Sequence, residues 1–148
     1  MVIDEIDEKI LAILKENSRV SLTSLSKMLG ITTPAIKYRL EKLEKTGIIK
    51  RYSIEVDYEK LGYGIAAFVG INIDPSKRKK VISELLNTEE VLKIYEVTGE
   101  YDLLLEIRAL DVSSLRKFLT LKLGSIKGIL RTYTMTIVYE YEPRRRLQ

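Results

Sequence analysis

Hydroxyl, ammonium and phenol side chains lie close together in the stretch GITTPAIKYRLEKLEKTGIIKRY, residues 30–52. The hydroxyls of Thr32 and Thr33 can hydrogen-bond to phosphates or bases, and Lys37 can donate to guanine or to phosphate. Tyr38 can stack on a base or donate a hydrogen bond to it. The chemistry that these residue types favour is therefore recognition of a nucleic acid.

The positive charge of the chain is concentrated around the same stretch. Residues 19–51 hold eight Lys or Arg against Glu41 and Glu44, a net charge of +6, whereas residues 1–18 hold two lysines against five acidic residues, a net of −3. The whole chain carries only +4. Such a focus is what binding to an anionic polymer requires. The alternative explanation is an ordinary solvated helix face.

Three helices are predicted in the first third of the chain. Apolar residues recur at spacings of three and four in residues 4–16, and Asp4 can cap this first helix. Ser21 begins a second, short helix, which Gly30 can end in the left-handed conformation. A third helix is predicted to follow directly, so the second and third helices form a helix-turn-helix.

The third helix is expected to present one polar face. Thr32 or Thr33 can serve as its N-cap, and Pro34 falls in the first turn, where a missing N–H costs nothing. The buried stripe is Ile36, Leu40 and Leu43. A period of 3.6 residues then directs another set away from the core: Pro34, Lys37, Tyr38, Glu41 and Lys45. The first turn of such a helix is the part that meets base edges in a major groove.

The segment after this helix, Ile48 to Asp57, alternates loosely and is rich in β-branched and aromatic residues. It is predicted to be a strand, a small wing whose Lys50 and Arg51 hold the DNA backbone. Residues 1–57 are therefore interpreted as a winged helix-turn-helix domain. Residues 58–62, which end in glycine, are interpreted as a linker.

Residues 63–148 are predicted to form a separate α+β domain. Strands are expected at 63–73, 91–98, 101–108 and 129–141, and helices at 74–86 and from Asp111 to about Gly124. Gly99-Glu100 is a two-residue turn signal between the central strands. The order β-α-β-β-α-β is the ferredoxin-like one.

One face of this predicted sheet should lack a helical cover although it is rich in apolar residues. In the last strand that face carries Tyr133, Met135, Ile137 and Tyr139. A patch of this kind is larger than monomers usually leave in water, so self-association through the sheet is expected. A monomer with scattered apolar surface residues is the alternative.

Composition narrows the possible functions. The chain has neither Cys nor His, which removes disulfides, thiolate chemistry, the commonest general base and the commonest metal ligand. No metal and no cofactor are predicted, and an enzyme is disfavoured. No apolar run is long enough for a transmembrane helix, and the acidic start lacks a signal-peptide pattern, so the expected location is the cytoplasm. Abundant Ile, Lys and Glu with only four Asn and Gln indicate a protein from a hot environment.

Four stretches of sequence carry a specific resemblance when they are taken together. They are IDEIDEKILAILKENSR, LSKMLGITTPAIKYRLEKLEKTGIIKRY, KLGYGIAAFVGI and VTGEYDLLLEI. Together they resemble, over nearly the whole chain, the Lrp/AsnC (feast/famine) family of transcription regulators, here one from a thermophilic archaeon. The resemblance includes Arg39 within the DNA-reading helix.

The resemblance implies a ligand-sensing second domain and an assembly of dimers into tetramers or octamers. The implied ligand is an amino acid held where dimers meet, near Gly99, Glu100, Tyr101 and Asp102. Asp102 could pair with an α-ammonium, and N–H groups around Gly99 could bind an α-carboxylate. Three threonines could add hydroxyls from a neighbouring strand: Thr132, Thr134 and Thr136. The alternatives are a plain hairpin turn, a structural carboxylate and ordinary β-propensity.

The function predicted from all this is sequence-specific binding of double-stranded DNA, modulated allosterically by a small amino-acid effector. One alternative is an architectural DNA-binding protein without a ligand. Others are a small ferredoxin-like enzyme with an attached DNA module and an RNA-recognition fold, whose Gly-aromatic motif the stretch YDLLLEIR lacks. The run Arg144-Arg145-Arg146 is interpreted as a solvated tail that could also reach DNA or a neighbouring subunit.

Overall fold

The structure, a computed structural model, describes residues 2–143. The predicted tail arginines 144–146 lie outside this range. The chain divides into two compact units, residues 2–55 and residues 56–142. The predicted linker, residues 58–62, is a closed turn in which the Tyr58 carbonyl accepts the N–H groups of Leu61 at 3.2 Å and Tyr63 at 2.9 Å.

The first unit contains the three expected helices, α1 (Glu5–Glu16), α2 (Leu22–Leu29) and α3 (Thr33–Lys45). Each begins at the predicted cap: the side chains of Asp4, Ser21 and Thr32 accept backbone N–H groups of the following turn. Gly30 ends α2 in the left-handed conformation, with φ at 67°. The helices close around four fully buried side chains: Ile10, Leu25, Ile36 and Leu43.

The wing strand predicted for Ile48 to Asp57 is absent from the structure described for residues 2–143. A strand forms only when a neighbour satisfies its backbone groups, and residues 2–55 contain no second strand. The segment is anchored at its start in a different way. Ile49 N–H donates to the Leu43 carbonyl at 3.0 Å, and the Tyr52 hydroxyl donates to Glu44 at 2.7 Å.

The second unit is the expected β-α-β-β-α-β fold. The strands are β1 (Ile65–Ile73), β2 (Val91–Glu96), β3 (Leu103–Ala109) and β4 (Ile129–Thr136), in one antiparallel sheet of order β2-β3-β1-β4. A 3-10 turn (Pro75–Lys77) leads into α4 (Arg78–Leu86). The second crossover is α5 (Val112–Lys117), extended by a π-helical turn (Phe118–Lys122) and a 3-10 turn (Leu123–Ser125).

The helices cover one face of this sheet and leave the other open. Alternate residues of the central strands are fully buried on the covered face, for example Val69 and Leu105, and they pack with Val81, Leu85 and Phe118. The open face carries the intervening residues, and the following side chains remain 37–50% exposed there: Tyr95, Val97, Tyr133 and Met135. This is the uncovered apolar face that the strand pattern predicts.

Three details differ from the sequence predictions. Strand β4 ends at Thr136 rather than Tyr141, because its partner β1 begins at Ile65 and offers nothing beyond the bond from Ile137 N–H to Ala66 O. The turn between β2 and β3 has four residues, not two, because Val97 N–H closes it on the carbonyl of Asp102. The apolar spacing of α4 predicts an inward face of Val81, Leu85 and Leu86, but Leu86 is 69% exposed at the end of the helix.

Candidate DNA interface and effector loop

Helix α3 presents the polar face that its spacing predicts. Ile36 and Leu43 are fully buried, whereas Pro34, Lys37 and Tyr38 are exposed one after another along the opposite side. The only ion pair of Lys37 within residues 2–143 is a 4.0 Å contact with Glu41, and both side chains are at least half exposed. Such a pair is weak, so the Lys37 ammonium is free to exchange it for a phosphate or a base.

The N-terminus of α3 combines a cap with a ligand-accessible hydroxyl. Thr32 is exposed, and its oxygen accepts Ala35 N–H at a long 3.4 Å. Its own O–H remains available as a donor. Thr33 is half-buried as the first residue of the helix. Lys50 and Arg51 are exposed in the irregular segment that follows the helices. All four stay predictions as DNA contacts.

Arg39 has a different environment from the other predicted DNA contacts. Its guanidinium donates to Asp4 at 2.6 Å and to Asp7 at 2.9 Å, which lie in the capped first turn of α1. The Arg39 hydrogen bond lowers the pKa of Asp4, and the same two carboxylates raise the pKa of Arg39. Arg39 therefore holds α3 against α1, and a direct contact of its side chain with DNA stays a prediction.

The predicted effector residues form the loop between β2 and β3. Gly99 takes a φ of 121°, a conformation that suits glycine alone. No hydrogen bond within residues 2–143 uses the N–H of Gly99 or Glu100. The Glu100 carboxylate is solvent-exposed and lies 3.7 Å from Arg131. The tip thus carries free N–H donors next to a carboxylate, the two groups that a zwitterion requires.

Asp102 has a structural task at the base of the same loop. One oxygen of its carboxylate accepts Ile73 N–H at 2.9 Å, and its own N–H donates to the carbonyl of Ile71 at 2.9 Å. Asn72 ties the loop from the same strand by donating to the Glu100 carbonyl at 2.8 Å. The loop is therefore fixed to the end of β1. The second carboxylate oxygen of Asp102 makes no hydrogen bond within residues 2–143.

Tyr101 lies flat across the open face of the sheet because Gly70 has no side chain. A Cβ at Gly70 would come within 2.7 Å of the Tyr101 ring. The ring also stacks on Tyr133 at a centroid distance of 5.9 Å, and burial raises the pKa of Tyr101. Sequence reasoning missed this role of Gly70, although a lone glycine inside an apolar strand is a known signal of close approach.

The three predicted threonines lie apart from Tyr101. Thr132, Thr134 and Thr136 stand opposite Ile71, Val69 and Ala67, whose side chains belong to the buried, helix-covered face. Tyr101 lies over Gly70 on the other face. The structure therefore brings Gly99, Glu100, Tyr101 and Asp102 together but does not bring the threonines to Tyr101 within one unit.

Residues 2–143 include no group of three or more acidic side chains placed to hold a metal ion. Over the same range, every helix is too short or too polar to cross a membrane.

Comparison with known proteins places both units. The pattern of a winged helix-turn-helix DNA-binding domain matches residues 3–50, and that of the Lrp/AsnC ligand binding domain matches residues 66–147. The chain is similar to the HTH-type transcriptional regulator FL11 of Pyrococcus furiosus, with 36% identity over 137 residues that cover 93% of this chain and 90% of the relative.

Solved structures agree over nearly the full length. The structure of Escherichia coli AsnC superimposes with a TM-score of 0.90 at 28% identity and covers 99% of both chains. A transcriptional regulator of Neisseria meningitidis in complex with L-Met superimposes with a TM-score of 0.92 at 27% identity, over 99% of this chain and 97% of its own. The chain belongs to the Lrp/AsnC family and is a DNA-binding transcription regulator.

Proposed function

We propose that the protein binds specific DNA sites through α3 and that a small amino-acid effector, held at the β2–β3 loop between dimers, changes its DNA binding or its assembly. The observation that carries the proposal is that one chain combines two kinds of unit. The first matches a winged helix-turn-helix DNA-binding domain and exposes the cationic side chains of α3, and the second matches the Lrp/AsnC ligand binding domain.

The proposed DNA contact uses the exposed face of α3. Lys37 and Tyr38 point outward together, and Thr32 and Thr33 precede them at the positive end of the helix dipole. Lys37 and Tyr38 read base edges, whereas the threonines, Lys50 and Arg51 hold phosphates. Arg39 keeps the helix in place for this task.

Single replacements of Lys37 and Tyr38 by Ala test the DNA contact. Each lost base contact is expected to weaken operator binding by about 1–3 kcal/mol. Lys79→Ala removes an equal charge from an exposed position in the other unit and serves as the control. Gel shifts or fluorescence anisotropy against operator and scrambled DNA provide the measurement. Operator affinity that stays at the wild-type level in both variants would remove α3 from the proposal.

The same titrations separate a regulator from the alternative, a ligand-independent architectural protein. A regulator loses affinity on scrambled DNA by about 10³-fold or more, whereas an architectural protein binds both sequences alike. Near-equal affinities for the two DNAs would support the architectural function.

The proposed effector site combines the free N–H groups at Gly99 with the carboxylates of Glu100 and Asp102. The neighbouring structure from Neisseria meningitidis, described as an L-Met complex, supports an α-amino acid as the class of ligand. Tyr101 forms the apolar floor beside it. The three threonines join such a site only if they come from another subunit of the assembly, in keeping with a position between dimers.

Asp102→Asn tests the effector site better than a truncation does. An amide oxygen still accepts Ile73 N–H, so the loop is retained while the charge that binds an ammonium is lost. A thermal-shift screen with the twenty amino acids identifies the effector, because a ligand of the native state raises apparent stability. The variant, and likewise Glu100→Gln, should lose this stabilisation while it binds DNA as before. A wild-type ligand response in both would place the effector elsewhere.

The open face of the sheet is the proposed contact between protomers, which then assemble as dimers of dimers. The face joins partly exposed apolar side chains of several strands, including Tyr95, Tyr133 and Met135. Met135→Glu should lower the mass measured by sedimentation or light scattering. Leu121→Glu, at a more exposed position on the helical turn after α5, is the control. A protein that is monomeric before any substitution would contradict this contact.

A further inference from the structure

A charged residue of β4 lies beside the effector loop, on the face opposite to the predicted threonines. Arg131 stands directly opposite Asn72 in the β1–β4 pairing, and Tyr133 stands opposite Gly70. Because directly opposite residues share a face of a sheet, Arg131 and Tyr133 both lie on the open face. Tyr101 of the loop lies over Gly70 on that same face. Arg131 is therefore the charged side chain that β4 brings to the loop.

The guanidinium of Arg131 and the carboxylate of Glu100 form a long, exposed ion pair. Arg131 Nη2 lies 3.7 Å from Glu100 Oε1, and the two side chains are 60% and 68% exposed. Among residues 2–143 the Arg131 side chain makes no other ion pair. An exposed pair of this length contributes little to stability. Most of the five N–H donors of the guanidinium are therefore available to an acceptor from solution.

The loop backbone, in contrast, is held in one place. Asn72, which stands opposite Arg131, donates to the Glu100 carbonyl at 2.8 Å. In the part of the chain that the structure describes, the N–H groups of Gly99 and Glu100 have no hydrogen-bond acceptor. Free backbone donors, a guanidinium and a carboxylate thus surround one short stretch of loop.

Tyr101 provides an apolar surface next to these charges. Its ring stacks on Tyr133 at a centroid distance of 5.9 Å. Burial and the charge of Glu100 raise the pKa of Tyr101, whereas the charge of Arg131 opposes this rise. Both charges therefore act on the phenol, which is uncharged at neutral pH. A side chain that extends from the charged groups over this ring would contact an aromatic surface.

From this arrangement we infer that Arg131 binds the α-carboxylate of the effector, that Glu100 binds its α-ammonium, and that the effector carries an apolar side chain. The site is the proposed effector loop, on which the inference rests; the anchor from β4 and the class of amino acid are new. The two charges of the ligand replace the Arg131–Glu100 pair, so each protein charge keeps a partner. An apolar side chain gains contact with the Tyr101 ring, where a charged one would lose water without compensation.

Isothermal titration calorimetry of the full-length protein tests both parts. L-methionine, L-leucine and L-phenylalanine represent the apolar class, and L-glutamate represents the acidic class. Each apolar amino acid is compared with its carboxamide, which keeps the ammonium and the side chain but lacks the carboxylate charge. At least one apolar amino acid should bind the wild-type protein more tightly than L-glutamate does. Its carboxamide should bind about ten-fold more weakly, because a charge-assisted hydrogen bond is lost.

Replacements of Arg131 assign this difference to its guanidinium. Arg131→Gln should bind the amino acid about ten-fold more weakly than the wild type and should no longer distinguish it from the carboxamide. Arg131→Lys keeps the charge but lacks the planar fork of donors, so it should recover part of the discrimination. Arg116→Gln, at an exposed position of α5, removes an equal charge and serves as the control.

Hydrogen exchange without ligand distinguishes binding from support of the loop. Because the Arg131–Glu100 pair is exposed and long, Arg131→Gln should leave the exchange of residues 97–102 at the wild-type rate. Faster exchange there, together with undiminished discrimination against the carboxamide, would make Arg131 a support of the loop and would overturn its direct contact with the effector.

Four binding results would also overturn the inference. They are no binding of any apolar probe, tighter binding of L-glutamate than of the apolar probes, wild-type affinity in Arg131→Gln, and the wild-type preference over the carboxamide in that variant. The proposed function is judged separately. Its effector site stands if any of the twenty amino acids stabilises the wild-type protein and Asp102→Asn or Glu100→Gln abolishes the effect, and DNA binding through α3 does not depend on Arg131.

Discussion

Replacement of Arg39 by Ala should loosen α3 without removing any of the exposed groups proposed to contact DNA. Arg39 is the side chain of α3 that donates to both carboxylates in the first turn of α1, at 2.6 and 2.9 Å. Asp4 and Asp7 also cap α1 reciprocally, with Asp7 N–H donating to Asp4 at 2.9 Å and Asp4 N–H to Asp7 at 3.2 Å. The substitution therefore acts on two helices at once.

The expected loss is about 2 kcal/mol in the free energy of opening of the first unit. Asp7 is 7% exposed and would be left without its cation, the situation in which a broken buried pair is most costly. The loss stays below the range for fully buried pairs because a quarter of Arg39 is exposed and Asp7 keeps the Asp4 N–H. Asp4 adds little, since half of it is in water.

Hydrogen exchange followed by mass spectrometry measures this effect locally. Peptides from α1 and α3 should exchange about 30-fold faster in Arg39→Ala, the factor that corresponds to 2 kcal/mol, whereas peptides from β1 and β3 should not change. Lys37→Ala is the matched control, because its ion pair with Glu41 is exposed and 4.0 Å long. Arg39→Lys should fall between the two, since an ammonium lacks the planar fork of donors.

Two outcomes would refute this reasoning. The first is wild-type exchange in α1, which would mean that Asp7 tolerates burial without Arg39. The second is a slope of log DNA affinity against log salt that is about 0.9 smaller in Arg39→Ala, which is expected if Arg39 contacts a phosphate directly. A positioning role predicts weaker binding with an unchanged slope.

Other predictions rest on single contacts. Gly70→Ala should push the Tyr101 ring off the sheet, since the new Cβ would lie 2.7 Å from the ring. Faster hydrogen exchange in residues 97–102 and a weaker effector response are expected. Unchanged exchange in this loop would contradict the contact. Tyr52→Phe should speed exchange in residues 50–54 but not in α3, because it removes only the bond to Glu44. Burial and Glu44 raise the pKa of Tyr52 to about 12. The stability that Tyr52 contributes is therefore fully present below pH 10 and is lost as the pH rises to about 12. Tyr52→Phe should abolish this dependence of stability on pH. The pKa of Asp4 is lowered, so the opposite dependence is expected in acid. The stability that Asp4 contributes is present above its ordinary pKa near 3.8 and is lost as the pH falls through the lowered value. Asp4→Asn should flatten that part of the profile of stability against pH.

The helices of the first unit and the order of elements in the second were predictable from the sequence. Caps and periodicity act within a few residues, so Asp4, Ser21 and Thr32 mark helix starts wherever the rest of the chain lies. The exposed side of α3 follows from the same local rule. For this reason Lys37 and Tyr38 could be assigned to one face before any tertiary contact was known.

Tertiary structure decided which of these groups are free to bind. Arg39 lies among the cationic residues of α3, but two carboxylates more than thirty residues away engage it. Strand β4 is limited by the length of β1, and the predicted wing forms no strand because residues 2–55 contain no other strand to pair with it. The close approach of Tyr101 to Gly70 depends on distant segments meeting. Capping and periodicity do not predict such long-range contacts, because the separation of two residues in sequence does not determine their distance in space.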